Sequence, residues 1–115
     1  MGAITKDKRA DDLKSRAMDL AGLVDVQAGS IVSREIVSRP AGTVTAFAFD
    51  EGEQLSEHPA PFDAMVIGLD GEADVTIGGG RQRVKPGQMV IMPAGVPHAL
   101  QAATRFKMLL VMIKK

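Results

Sequence analysis

Short β-rich segments recur every eight to twelve residues from Ile31 onward, each closed by glycine, proline or an Asp-Gly pair. That spacing fits an antiparallel β sandwich or barrel and little else. Ile31 to Val37 is rich in β-branched residues, and Thr43 to Phe49 lies between Pro40-Ala41-Gly42 and Asp50-Glu51-Gly52. Ala64 to Leu69 stops at Asp70-Gly71, a pair that favours a tight hairpin. Glu72 to Ile77 is then predicted as its antiparallel partner, with Ala73, Val75 and Ile77 on one buried face. Gly78-Gly79-Gly80 turns the chain into Arg81 to Val84. Met89 to Met92 reads as a buried strand closed by Pro93-Ala94-Gly95. The last strand, Phe106 to Ile113, sets Phe106, Met108, Leu110 and Met112 inward by the parity of Lys107, although its opposite face is almost as apolar.

Ahead of the strands, Ala10, Leu13, Ala17, Leu20, Ala21 and Val24 recur at three- and four-residue intervals, which predicts a short amphipathic helix within Lys6 to Val24. The chain therefore divides into a helical or extended segment over residues 1–29 and a β domain over residues 30–115. Its 115 residues and 45% hydrophobic content suffice for a single core. The 14 basic and 14 acidic residues cancel, so no broad field gathers nucleic acid. The longest apolar run, Met108 to Ile113, is far below the roughly 18 residues of a membrane span. The N-terminus lacks the apolar stretch of a secretory signal, and no cysteine is present for a disulfide, a thiolate metal site or a cysteine nucleophile. A cytoplasmic protein is expected. Seven methionines accompany four Phe and no Tyr or Trp, so flexible thioethers take space that rings would otherwise fill.

Two segments go beyond generic β structure. Gly52-Glu53-Gln54-Leu55-Ser56-Glu57-His58, with the later Gly71, matches the frame G-x5-H-x-H-x(3,4)-E-x6-G. Gly87-Gln88-Met89-Val90-Ile91-Met92-Pro93-Ala94-Gly95-Val96-Pro97-His98 matches G-x5-P-x-G-x2-H-x3-N through its histidine. In the second, the glycines permit backbone conformations closed to other residues, and Pro93 and Pro97 stiffen the turn before His98. On these motifs the chain resembles the cupin superfamily, and within it the small single-domain cupins of the conserved-barrel type. The resemblance implies an all-β antiparallel jelly-roll barrel, here preceded by the short N-terminal helix. It also implies that His58 and His98, the chain's two histidines, converge inside that barrel.

The sequence departs from the pattern where the metal ligands belong. The usual site has three histidines and a glutamate, but Ala60 replaces the second histidine of the first motif. The glutamate position falls on Ala64 counted back from Gly71, or on Asp63 at the shorter permitted spacing. The closing asparagine of the second motif is Ala102. His58 and His98 alone would hold a divalent transition metal such as Fe, Mn, Ni or Zn weakly, with Asp63 and Gln54 as weak further candidates. Glu57 beside His58 is more simply a solvated loop residue. Two readings stay open, a depleted metal site and a metal-free pocket in which the two imidazoles act as acid and base or as ligand-orienting groups. Small side chains at 60 and 64 enlarge the barrel mouth, and Phe47, Phe49, Ala60, Ala64, Val66, Met92, Leu100 and Met108 are the candidate lining of an apolar pocket.

The function expected is therefore binding of a small molecule in the barrel. A metal-dependent enzyme of dioxygenase, decarboxylase or isomerase type is the alternative, with His58 and His98 as candidate catalytic residues. A homodimer is expected from the two-faced apolar terminal strand and from the N-terminal segment, which in similar small cupins often pairs with a second subunit. Other signals have plainer explanations. Gly78-Gly79-Gly80 lacks the G-K-[ST] of a phosphate loop. Arg81, Arg83 and Lys85 alternate as a solvent face, and neither Ser33 nor Ser56 sits in a nucleophile elbow.

Overall fold

Two β sheets, of six and four strands, account for nearly all the regular structure in the computed structural model. It describes residues 4–9 and 13–114, with Glu57 and His58 described through their backbone. The six-stranded sheet contains β1 (Ile4–Lys6), β2 (Ile31–Arg39), β3 (Gly42–Phe49), β5 (Ala64–Asp70), β8 (Met89–Met92) and β10 (Phe106–Ile113), in the order β1-β2-β3-β10-β5-β8. The four-stranded sheet contains β4 (Gln54–His58), β6 (Ala73–Ile77), β7 (Gly80–Val84) and β9 (His98–Ala102), in the order β4-β9-β6-β7. Every pairing is antiparallel except the short parallel contact of β1 with β2.

Alternation along the strands decides what lies between the sheets. Ala64 and Val66 of β5, Ala73 and Val75 of β6, Leu100 and Ala102 of β9, and Phe106 and Met108 of β10 are all buried in one cluster. A second, smaller cluster forms on the outer face of the large sheet, where Leu23 and Val24 cover Val32, Ala46 and Ala48. This outer layer explains why β10 is apolar on both faces. It is a central strand, with Met108 in the inner cluster and Leu109 packed against the outer one.

Four expectations need correction. The expected closed barrel is absent among the described residues, since no pairing joins a strand of one sheet to a strand of the other. Asp70-Gly71 makes no hairpin: β5 pairs with β10 and β8, while β6 pairs with β9 and β7, so this turn carries the chain from one sheet to the other. Gly71 there has φ +70°, and a Cβ would overlap the Arg105 carbonyl, so the close approach of the β9–β10 connection fixes the crossing. The N-terminal helix is also absent. The described part of that segment has only β1 and a 3-10 turn at Leu20–Gly22, and residues 10–12 of the expected helix lie outside the described residues. Leu23 and Val24 are instead held flat on the sheet, where the Leu23 carbonyl accepts from Arg9 and Arg34 and the Ala21 carbonyl from Lys107. Finally, β8 is an edge strand exposed on one face, with Met89 and Ile91 50% and 47% exposed and only Met92 buried. Among the described residues no helix is long and apolar enough to cross a membrane.

Candidate ligand pocket

The Pro93–Pro97 turn is fastened from both sides. The Gly95 N–H donates to the Ala60 carbonyl at 2.7 Å and the Ala94 N–H to Asp63 Oδ1 at 2.8 Å, tying the turn to the β4–β5 connection. On the other side the Gly78 N–H donates to the Pro97 carbonyl at 2.9 Å. Gly95 takes φ +75°, a left-handed conformation that other residues adopt at a cost. The chain leaves this anchored turn directly into β9, whose first residue is His98, 7% exposed.

The position of His58 depends on an irregularity in β4. Leu55 pairs with Leu100 and His58 with His98, so β4 spends one more residue than β9 over the same stretch. Regular alternation from Leu55 would bring Glu57 opposite His98; the bulge brings His58 there instead. The backbone register thus sets the two histidines directly across from one another.

Between the sheets lies a cavity of about 80 Å³. Six of the residues singled out in the sequence line it: Ala60, Ala64, Val66, Met92, Leu100 and Met108, and His98 contributes to its wall. Leu55, Leu110 and Met112 also line it. The last two follow from inward parity on β10 but were not named as pocket residues. Phe47 and Phe49 lie outside the lining; they stack at 6.0 Å between ring centroids, and Phe49 tilts against Phe106 at 5.9 Å, filling the core.

The weak ligand candidates lie elsewhere. Asp63 is exposed, and one carboxylate oxygen is taken up by Ala94. Gln54 faces the outer surface of the small sheet, in a shallow polar groove with Asp74, Thr76, Arg81 and Gln101. On that same sheet Arg83 bonds to Asp74 at 2.8 Å and Glu72 at 2.9 Å, and the bond from Arg83 holds the Asp74 carboxyl below its ordinary range. Among the described residues no group of three or more His, Cys, Asp or Glu is arranged to hold a metal ion. Methyl groups at Ala60 and Ala64 occupy the cavity wall where a hard divalent site needs donors, so the residues present do not fit the three-histidine, one-carboxylate set.

The cupin-domain family matches residues 46–114. This chain is a cupin. A conserved protein of unknown function from Streptococcus pyogenes is 40% identical to it, over 88% of this cupin and 89% of that chain, with a TM-score of 0.84. A cupin superfamily protein from Desulfitobacterium hafniense is 26% identical, over 89% and 94% of the two chains, also with a TM-score of 0.84. A cupin 2 conserved barrel domain protein from Leptotrichia buccalis is 41% identical over 84% of this cupin but only 47% of that chain, with a TM-score of 0.80. No curated protein matches.

Proposed function

We propose that this cupin binds a small, weakly polar ligand between its sheets, held by apolar contact and oriented by His98, with His58 across the strand pair. The observation that carries this reading is the cavity itself, with methyl groups at Ala60 and Ala64 where the family pattern expects metal ligands and an imidazole in an otherwise apolar wall. At about 80 Å³ it is several-fold smaller than the roughly 300 Å³ of the smallest drug-sized sites, so the ligand has only a handful of heavy atoms. A neutral imidazole offers one donor and one acceptor, and the rest of the wall offers dispersion contacts.

A metal-dependent dioxygenase, decarboxylase or isomerase has less support. It would need a further oxygen or nitrogen donor beside the histidines, and among the described residues no carboxylate lines the cavity. For the assembly we propose a homodimer. Its support is Met89 and Ile91, half exposed on the edge strand β8. Light scattering that shows a monomer at micromolar concentration overturns it.

The ligand reading is tested by methionine-methyl NMR during titration with short-chain carboxylic acids, small amides and simple aromatics. Expected are shifts confined to Met92, Met108 and Met112 that vanish in Ala64→Leu, which fills the cavity. Silence across all three chemical classes, or an unchanged response in Ala64→Leu, overturns it.

A further inference from the structure

We propose that a groove formed by β1, β2 and β3, outside the cavity between the sheets, is a second ligand site, for a phosphate monoester of a small polyhydroxylated molecule such as a sugar phosphate. Lys6 and Lys8 receive the phosphate, and Ser33, Thr45 and Glu35 receive the hydroxyls. The site does not depend on how the inter-sheet cavity is read.

The large sheet has six strands and the small sheet four, and part of the larger inner face is left open. Ile31 of β2 and Phe47 and Phe49 of β3 belong to the inner core cluster. By alternation Ser33 and Glu35 share the face of Ile31, and Thr45 shares the face of Phe47. Glu35 pairs with Thr45 across β2 and β3, and Lys6 pairs with Ser33 across β1 and β2. The register therefore carries the inner face out of the core into a polar groove of about 520 Å³, lined by Lys6, Asp7, Lys8, Ser33, Glu35 and Thr45. Small-molecule sites span roughly 300–1,000 Å³.

Ser33 is the residue that marks the groove as a site. It is 9% exposed and borders the groove, and its hydroxyl makes no hydrogen bond among the described residues. A buried hydroxyl normally has a partner, and the groove is where this one opens. Among the described residues Lys6, Lys8 and Glu35 form no ion pair, whereas the Asp7 carboxylate is taken up by Arg9 at 2.8 Å. The lining thus offers two ammonium groups and one carboxylate that are not neutralised internally. Residues two apart on a strand stand roughly 7 Å from each other, so two lysine stems can close on one dianionic phosphate. Glu35 repels an anion but accepts from a hydroxyl, so it belongs to the polyol end of the ligand.

Lysines on an edge strand also guard it against pairing with another chain. That role needs no groove and leaves the Ser33 hydroxyl unexplained. The edge strands β1 and β8 lie at opposite ends of the sheet, so the groove stays open in a dimer formed through β8.

The test is amide NMR and calorimetry on the intact protein with glucose 6-phosphate, set against glucose, gluconate and inorganic phosphate. Expected are shifts at Lys6, Lys8, Ser33, Glu35 and Thr45, with the ester binding more tightly than any of the three controls. The double variant K6Q/K8Q, at two exposed positions, is expected to bind the ester at least about tenfold more weakly. Ser33→Ala is expected to weaken it about threefold or more. Equal binding of glucose or gluconate removes the case for phosphate, and equal binding of inorganic phosphate removes the case for the polyol. Either result overturns the proposal, as does unchanged affinity in K6Q/K8Q or in Ser33→Ala. If the ester instead moves the methyls of Met92, Met108 and Met112 and leaves the groove amides still, this inference falls and the reading of the inter-sheet cavity stands.

Discussion

Asp50, at the end of β3, joins three segments through one carboxylate. Its Oδ2 accepts from the Gly29 N–H at 2.7 Å, and its Oδ1 accepts from the Glu51 N–H at 2.9 Å and from Arg105 Nε at 3.3 Å. The Gly29 N–H foremost, then the Glu51 N–H, holds the carboxyl below its ordinary value of 3.8. A group that loses its proton more readily in the folded state stabilises that state above the unfolded pKa, and the contribution disappears as pH falls through the folded value. Asp50→Asn is therefore expected to cost stability near pH 7 and progressively less below about pH 4. Urea melts at the two ends of that range read the difference, and an equal cost at both would refute a charge-based role. Single residues were unevenly legible in the sequence. His98 could be placed because a stiff turn with Gly and Pro at fixed spacing delivers it to the start of a strand. Its relation to His58 followed from the family resemblance and not from spacing, because one additional residue in β4 decides the register and strict alternation has no way to show a bulge.

Turns show the same contrast at the scale of elements. Gly78 and Gly79, with φ +56° and +89°, join β6 to β7 as a two-residue hairpin. Asp70-Gly71 carries an equivalent local signal but has a different outcome, because β10 and β8 occupy both edges of β5 and β6 must pair elsewhere. Local chemistry specifies that the chain reverses; only the competition among strands specifies which sheet it enters. The two glycines should therefore respond differently to alanine. Gly79→Ala meets open space and carries only the left-handed backbone penalty, about 1–2 kcal/mol. Gly71→Ala carries the same penalty and also forces the Arg105 carbonyl away, so a loss of about 3 kcal/mol or more is expected. Equal denaturation midpoints for the two variants would show that the Gly71 approach is not needed. The strand Met89–Met92 departs from its pattern for a related reason, since four apolar residues in a row read as buried on both faces, while its place at the sheet edge leaves Met89 and Ile91 half exposed.

At the scale of the whole molecule, the segment before β2 is part of the fold's second core. Leu23 and Val24 are buried against Val32, Ala46 and Ala48, and Arg34, itself buried, donates from Nη1 to the Leu23 carbonyl at 2.9 Å. The helical period read from the sequence was real, but half of its apolar positions are alanines, whose side chains bury little, and the cations that capture the Leu23 and Ala21 carbonyls come from β2 and β10 as well as from Arg9. Such long-range capture has no local sequence signature, so a helix was the natural expectation from periodicity alone. The energetic consequence is checkable by deleting residues 1–28. Leu23 and Val24 each contribute about 1.5–3 kcal/mol by burial. The bond from Arg34 adds about 1.5–3 kcal/mol, because a buried cation would lose its carbonyl acceptor. Even at the low end these sum to more than about 4 kcal/mol, and each kcal/mol corresponds to about 4 °C of melting temperature for a domain of this size. A drop of about 15 °C or more is expected by calorimetry. Adding Leu23→Ala to the full chain should reproduce part of the loss, since it removes burial while leaving the carbonyl for Arg34. A truncated chain that melts with the full-length protein would show instead that the β domain closes its outer face without residues 1–28.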